Sequence, residues 1–323
     1  MRIGRCNRLG TLAGRLVVAG VVAFAAPRLQ AADDADDAAA AEEPAPEDTL
    51  GTPEPKVEDA GPNHGKVSFA FNSDFTTAYV FRGIVLERDG FIWQPSADIA
   101  LKVYEGDGFL SSASLNFGIW NSLQTEQTDA SGSGPSNLYE TDYYPGFTLG
   151  WSPGIETSLT YTIYTSPNGA FSTVQQLDLG IAYDDSELLG PFAFSPTATF
   201  SFELENTSFG NKKGDYFELA GAPGIDLSLP FDPDGNYPIT ASLPLALGLS
   251  MNDYYEDGTR NETFGFFSFG LAASMPLAFI PQDLGAWSVG AAINVYCLSQ
   301  TLKQVADNDN PFPVGTASIS MAY

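Results

Sequence analysis

Apolar and polar residues alternate along most of this chain from Val67 to its last residue. In an extended strand every second side chain points to the same face, so such alternation predicts half-buried β-strands. The closing stretch, residues 316–323, places four apolar residues on one face: Ala317, Ile319, Met321 and Tyr323. The other face carries Thr, Ser and Ala, so the chain ends on an amphipathic strand with an aromatic last residue.

Twelve alternating segments follow one another from Val67 onward. They are residues 67–82, 96–104, 112–120, 139–151, 155–164, 174–183, 192–205, 216–227, 239–251, 264–277, 287–297 and 314–323. Most have the length of a tilted membrane strand, about 9–11 residues, and the aromatic ending is typical of bacterial outer-membrane barrels. The pattern predicts an all-β fold, a closed antiparallel transmembrane β-barrel of about 12 strands.

Three prolines, Pro196, Pro223 and Pro244, interrupt the predicted strands. Proline cannot donate a hydrogen bond to a neighbouring strand, so we interpret these positions as bulges or strand ends. Because they blur the segment boundaries, ten or fourteen strands are open alternatives.

The connections alternate in length. Short turns at 105–108, 152–154 and 184–191 would lie on one side, with longer polar loops on the other: 121–138, 166–172, 206–214, 252–262 and 299–313. Outer-membrane barrels keep short turns in the periplasm and long loops outside. With twelve strands, we therefore expect both termini to be periplasmic.

The amino-terminal region predicts export. Residues 1–31 combine four early arginines, an eleven-residue apolar run at 16–26 and a tolerable cleavage site at 29–31, as in a secretory signal peptide. An uncleaved anchor is the alternative, although the run is shorter than the ~20 residues of a membrane helix. Residues 32–62 carry 11 acidic side chains and no aromatic, which predicts a disordered acidic Ala/Pro-rich linker. The barrel would occupy 63–323.

The charge balance excludes one class of binding partner. The whole chain has 14 basic and 40 acidic residues, and removal of the signal peptide takes away five arginines, which leaves a net charge of −31. Such a chain has no electrostatic basis for binding nucleic acid. We expect outer-membrane lipid and lipopolysaccharide as its surroundings, with small polar solutes or cations as its passing partners.

The sequence offers little for catalysis. His64 is the sole histidine and precedes the first predicted strand, and Cys297 falls in the lipid-facing phase. A Ser-His-Asp hydrolase inside the barrel is therefore not expected, nor are a cofactor or a metal centre. The acidic loops 252–258 and 307–310 lack the ligand spacing of a calcium loop. They are interpreted as solvated loops, with contact to lipopolysaccharide through divalent ions as the alternative.

The polar phase of the strands predicts the lining of a pore. It carries eight acidic residues, Asp98, Asp142, Glu156, Asp178, Glu203, Glu205, Glu218 and Asp226, against the basic residues Arg82 and Lys102. Acidic rings in a pore favour cations. The alternative is a lumen filled by its own side chains, with the charges paired and no conduction.

Three short motifs carry a resemblance to a known family. They are F-T-T-A-Y-V-F-R-G at 75–83, Q-P-S at 94–96 and G-I-W-N-S at 118–122. Over residues 67–122 the chain resembles the TorF-like porin family, exported barrels without agreed catalytic residues. The resemblance implies an outer-membrane barrel, and the later strands match in pattern only. The acidic linker departs from the family's compact amino-terminus.

These observations favour a passive outer-membrane channel for small polar solutes, with a preference for cations and no enzymatic activity. The alternative is a non-conducting structural or surface-interaction barrel that acts through its loops. An outer-membrane lipid enzyme is disfavoured because no histidine falls within the predicted strands.

Overall fold

The computed structural model describes residues 65–127, 130–227 and 238–323. The predicted signal peptide, the acidic linker and His64 lie outside the described residues. Sixteen strands are observed: β1 (Val67–Thr76), β2 (Tyr79–Phe81), β3 (Ile84–Glu87), β4 (Ile92–Glu105), β5 (Leu110–Gln124), β6 (Leu138–Trp151), β7 (Ile155–Thr165), β8 (Val174–Tyr183), β9 (Thr197–Glu205), β10 (Asp215–Gly221), β11 (Gly224–Leu227), β12 (Ile239–Ser242), β13 (Leu245–Asn252), β14 (Phe264–Pro276), β15 (Ala286–Leu298) and β16 (Phe312–Ala322). Two short α-helices, α1 (Ser186–Leu189) and α2 (Gln300–Val305), lie in the connections of these described ranges.

Twelve strands form the wall of a closed antiparallel barrel, which confirms the predicted fold class and strand number. β10 and β11 are two parts of one wall strand, interrupted next to Pro223, and β12 and β13 are likewise interrupted next to Pro244. β14 pairs with both β12 and β13. The prolines therefore mark breaks within strands, since proline cannot continue the hydrogen-bond ladder.

The first and last strands close the barrel. β1 and β16 pair antiparallel from Ala70 opposite Ala322 to Thr76 opposite Thr316. Beyond this ladder, the backbones of Phe69 and Tyr323 exchange two hydrogen bonds of 2.8 Å each. The last residue of the chain therefore belongs to the seam. We call the end of the barrel that holds Val67 and Tyr323 the terminal end, and the opposite end the loop end.

The outward face of the wall is apolar and exposed. Aligned cross-strand partners such as Phe69 and Ile99, or Leu115 and Phe147, continue one belt from strand to strand. On the other side of the barrel, Ile293 and Leu271 are 62% and 68% exposed. A soluble protein would bury side chains of this size, whereas lipid accommodates them. Cys297 pairs with Phe267 in the same outward phase.

No helix in the described part of the chain is long and apolar enough to cross a membrane.

The prediction that residues 67–82 form one wall strand is wrong. β1 ends at Thr76, and the chain then turns into the barrel to form the separate β2–β3 hairpin. Tyr79, Phe81 and Arg82 therefore leave the wall, although their spacing continues the alternation of β1. The predicted segment 192–205 also begins later, at Thr197.

The buried core fills the loop end of the barrel. It joins the β2–β3 hairpin to inward-facing aromatic residues of the wall and to α2. Its largest fully buried members are Tyr144, Tyr216, Tyr254, Tyr255, Ile92 and Leu302. The packed half of the interior is thus where the wall meets the hairpin, and any site inside the barrel is shaped by it.

Candidate functional site

The hairpin inside the barrel, residues 78–87, is here called the plug hairpin. Phe81 pairs with Ile84, which leaves Arg82 and Gly83 as a two-residue turn. Their φ angles, 50° and 79°, are both in the left-handed region, as in the turns that match the twist of a tight hairpin. Residues 78–85 are buried on both faces, so the hairpin is enclosed by the barrel.

Aromatic contacts fix the plug hairpin against the wall. The Tyr79 hydroxyl donates a hydrogen bond of 2.8 Å to Glu140 Oε2, and its ring lies 5.3 Å from that of Trp120. Phe81 meets Tyr164 edge to face, with ring centroids 5.5 Å apart. The hairpin is therefore held at several points along its length.

The turn of the plug hairpin presents Arg82 to the wall. Its guanidinium donates four hydrogen bonds, to Gln176 Oε1 (2.9 Å), Tyr254 Oη (3.1 Å), Asp178 Oδ1 (3.3 Å) and Ser201 Oγ (2.8 Å). The Arg82 side chain is 0% exposed, and its partner Asp178 is 12% exposed. A buried guanidinium is tolerated where a counter-charge and hydrogen-bond acceptors replace water.

Aromatic rings complete the surroundings of Arg82. Its guanidinium carbon lies 4.3 Å from the ring centre of Tyr216 and 5.4 Å from that of Tyr254. These distances are within the range of cation–π attraction, which is stronger where water is excluded. We call five wall and loop residues the cage: Gln176, Asp178, Ser201, Tyr216 and Tyr254.

Burial and charge determine the protonation of these groups. Burial acts to lower the pKa of Arg82, whereas the facing groups, including Tyr254 and Asp178, raise it and prevail. Burial raises the pKa of Tyr254 to about 12, and the neighbouring Arg82 acts in the opposite direction. Arg82 is therefore cationic and Tyr254 a neutral phenol at any physiological pH.

The remaining predicted residues are distributed over both halves of the interior. Asp142 is buried on β6 beside Glu140, and Asp98 lies on β4 on the same inward face. Lys102 pairs with Glu105 at 3.3 Å, close to the terminal end. Their role in lining a pore remains a prediction.

Glu203 and Glu205 are both on β9 but differ in their surroundings. Glu203 is buried and accepts hydrogen bonds from the backbone N–H groups of Ser208 (2.6 Å) and Gly214 (2.8 Å), so it anchors the following loop. Glu205 is exposed and accepts a hydrogen bond of 2.6 Å from Gln175. The pair therefore does not form one acidic lumen position.

Three further acidic residues have inward register. Glu218 accepts a hydrogen bond from the Tyr216 hydroxyl and so supports the cage. Asp226 is exposed and accepts one from Thr240 at 2.7 Å. Glu156 is half-buried near the terminal end, on the strand face that pairs with Gly150.

Sequence reasoning missed four of the five cage residues, Gln176, Ser201, Tyr216 and Tyr254. They are neutral and stand on different elements, so no charge pattern or spacing marks them. Gln176 does share a strand face with Asp178, which is two residues away on β8. This alternation is the one signal in the sequence that could have placed Gln176 beside Asp178.

Several residues of the acidic loops have hydrogen-bond or ion-pair partners. Asp257 accepts hydrogen bonds from the Thr259 hydroxyl and from the backbone N–H groups of Thr259 and Arg260, which lower its pKa. Arg88, just beyond the plug hairpin, forms ion pairs with Asp307 (3.3 Å) and Asp309 (3.0 Å). Within the described ranges, no group of three or more His, Cys, Asp or Glu residues is arranged to hold a metal ion.

The tightest packing near the plug hairpin predicts a strong effect of adding volume. A Cβ atom at Gly118 would lie 1.8 Å from Tyr144 Cε2 and 2.3 Å from Asp98 Oδ1. We expect Gly118→Val to lower the free energy of unfolding by about 1–3 kcal/mol, as overpacked cores do. Urea unfolding followed by gel migration measures the change.

The control is Gly315→Ala, because the nearest atom to a Cβ there is 3.5 Å away, an ordinary contact. Equal stability of both variants would show that Tyr144 and Asp98 are free to move aside.

The comparisons with known proteins give distant structural likenesses only. No family model and no curated relative matches this chain, so membership of the TorF-like porin family remains a prediction. The chain is similar to a NanC porin structure, with 8% identity, 79% of this chain and 98% of that chain covered, and a TM-score of 0.37. The COG4313 outer membrane channel from Pseudomonas putida F1 has 11% identity, with 80% of this chain and 94% of that chain covered and a TM-score of 0.41. LpxR from Salmonella typhimurium has 7% identity, with 79% of this chain and 99% of that chain covered and a TM-score of 0.38.

Proposed function

We propose that this protein is an outer-membrane channel for small polar solutes, with a preference for cations, which the plug hairpin closes in the observed conformation. The exposed apolar belt supports a place in lipid, because a closed barrel is one of the few folds that satisfies its backbone there. The short turns at 105–110 and 151–155 lie at the terminal end. Both termini would then be periplasmic, and the loops would face outward among lipopolysaccharide.

The lining of the terminal half carries the proposal. Inward positions there hold small side chains that are not buried, namely Ala70, Ser114, Gly150, Ser158, Gly180 and Ser320. Twelve strands enclose more space than such residues can fill, since even eight-stranded barrels need large side chains to close their interior. Among the described residues, these wall side chains therefore leave room for water in this half of the lumen.

Interior charge favours cations over anions. Asp98, Glu156 and Asp226 have inward register in or near the open half, where Lys102 is paired with Glu105. Carboxylates between low-dielectric walls raise the local concentration of cations.

A second candidate is a non-conducting structural or surface-interaction barrel. The observation in its favour is the burial of residues 78–85 on both faces, because a permanently docked hairpin would leave no path through the loop end.

Planar-bilayer recordings on refolded protein test the two candidates. We expect a variant with residues 78–87 replaced by a Gly-Ser linker of equal length to give discrete current steps. In a salt gradient, its reversal potential should show potassium crossing more readily than chloride. The full chain should conduct less, since its hairpin must move first.

A matched control replaces the exposed loop residues 258–260 by Gly and Ser, which should leave the current of the full chain unchanged. A folded hairpin-free barrel without current would refute the channel and favour the structural barrel. Preference for chloride in dilute salt would refute the cation selectivity alone.

A further inference from the structure

The cage around Arg82 has the composition of a ligand site. It presents one carboxylate, three neutral hydrogen-bond acceptors and two aromatic rings to a single planar cation. We propose that the cage is a guanidinium-binding site of the channel, that Arg82 occupies it as an internal ligand, and that a guanidinium-bearing solute binds there when the plug hairpin moves. This inference rests on the proposed channel function.

The geometry selects a guanidinium group over an ammonium group. Tyr216 lies against the cation at 4.3 Å from its ring centre, and the acceptors of Gln176 and Ser201 receive N–H groups from different terminal nitrogens. A flat cation with several diverging N–H donors can stack on a ring and bind acceptors at once. A compact ammonium group has neither the plane nor the fork.

The cage is organised by contacts that do not involve Arg82. Gln176 Nε2 donates a hydrogen bond of 2.6 Å to Asp178 Oδ1, and the Tyr216 hydroxyl donates to Glu218. The backbone N–H of Tyr254 donates to Ser250 Oγ at 2.9 Å. Since wall and loop groups hold one another in place, the cage would persist after the hairpin leaves.

Backbone strain indicates that an arginine stands at position 82 because of its side-chain contacts, and not because the turn requires it. A φ of 50° is costly for a residue with a Cβ atom, and Asn, Asp or Gly is the usual choice in such a turn. An arginine here is accounted for by the contacts that its guanidinium makes in the cage.

The test adds a free guanidinium to a barrel whose internal one is removed. In Arg82→Gly the cage loses its occupant, and glycine also suits the positive φ. We expect millimolar methylguanidinium, far below denaturing concentrations, to raise the thermal unfolding midpoint of this variant saturably, as ligands of the native state do. The midpoint of the wild-type protein should not move.

Three controls make the result specific to the cage. Arg82→Met keeps a stem in the same space and should not respond, and Arg82→Gly combined with Asp178→Asn should lose most of the rise. Methylammonium chloride at the same concentration should have little effect on Arg82→Gly. An equal rise with methylammonium would overturn the guanidinium class, because it would report charge alone.

Absence of any rise in folded Arg82→Gly protein would refute the site. If that variant does not fold, the same titration on the barrel with residues 78–87 replaced gives the decision, since this barrel retains all five cage residues. Binding is measured here without current, so a barrel that binds methylguanidinium but never conducts would refute the channel and keep the site.

Discussion

A chain that lacks residues 319–323 should leave no folded barrel in the membrane. The deletion removes the pairs from Ser73–Ile319 to Ala70–Ala322 on one side of β16 and the matching pairs with β15 on the other. It also removes the two backbone hydrogen bonds between Phe69 and Tyr323. Each unpaired backbone group in lipid costs several kcal/mol, so an open seam of this length exceeds the usual stability of a domain.

Heat-modifiable gel migration of the outer-membrane fraction measures this loss. The matched control is the full-length double variant Ile319→Ala and Met321→Ala, which keeps every backbone hydrogen bond and should still assemble. Normal insertion of the truncated chain would show that β16 does not close the barrel.

The wall was predictable because its physics is local. A strand with lipid on one side and polar interior on the other must alternate, and the pattern therefore showed which segments cross and which face Cys297 occupies. Breaks at Pro223 and Pro244 were also foreseeable, since proline interrupts a ladder wherever it stands. The count of twelve follows once each interrupted pair is taken as one strand.

The same alternation of apolar and polar residues made the plug hairpin look like a continuation of β1. Tyr79 and Phe81 continue the phase of Phe75, and a period of two does not tell which sheet a residue joins. A better signal was the loss of alternation on both sides of Arg82 and Gly83. Runs of contiguous apolar residues flank that turn, at 78–81 and 84–86, and such runs are typical of strands buried on both faces.

The cage was beyond sequence reasoning for a different reason. Arg82 meets Gln176 and Tyr254 across separations of 94 and 172 residues, and only the closure of the barrel brings them together. Both Arg82 and Asp178 were expected in the interior on the basis of charge. Their pairing depends on the register of the wall and on the turn of the hairpin, which no local pattern encodes.

The second large effect concerns this buried ion pair. We expect Asp178→Asn to lower the free energy of unfolding by about 3–5 kcal/mol, because it leaves Arg82 buried without its counter-charge. Adding Arg82→Met to the same protein should recover much of that loss, since no uncompensated charge then remains inside. The double variant should thus be more stable than Asp178→Asn alone, whereas two independent losses of stability would add and make it less stable.

Urea unfolding of the four proteins in this cycle, followed by gel migration, measures the coupling between the two residues. Glu205→Gln is the matched control, because it makes the same acid-to-amide change at an exposed position and should alter stability by less than about 0.5 kcal/mol. If the double variant is as unstable as the sum of the two single variants, Arg82 is compensated by the tyrosines and neutral acceptors of the cage rather than by Asp178. The plug hairpin would then be docked mainly by its aromatic packing, and the charge of Arg82 would contribute little to keeping it closed.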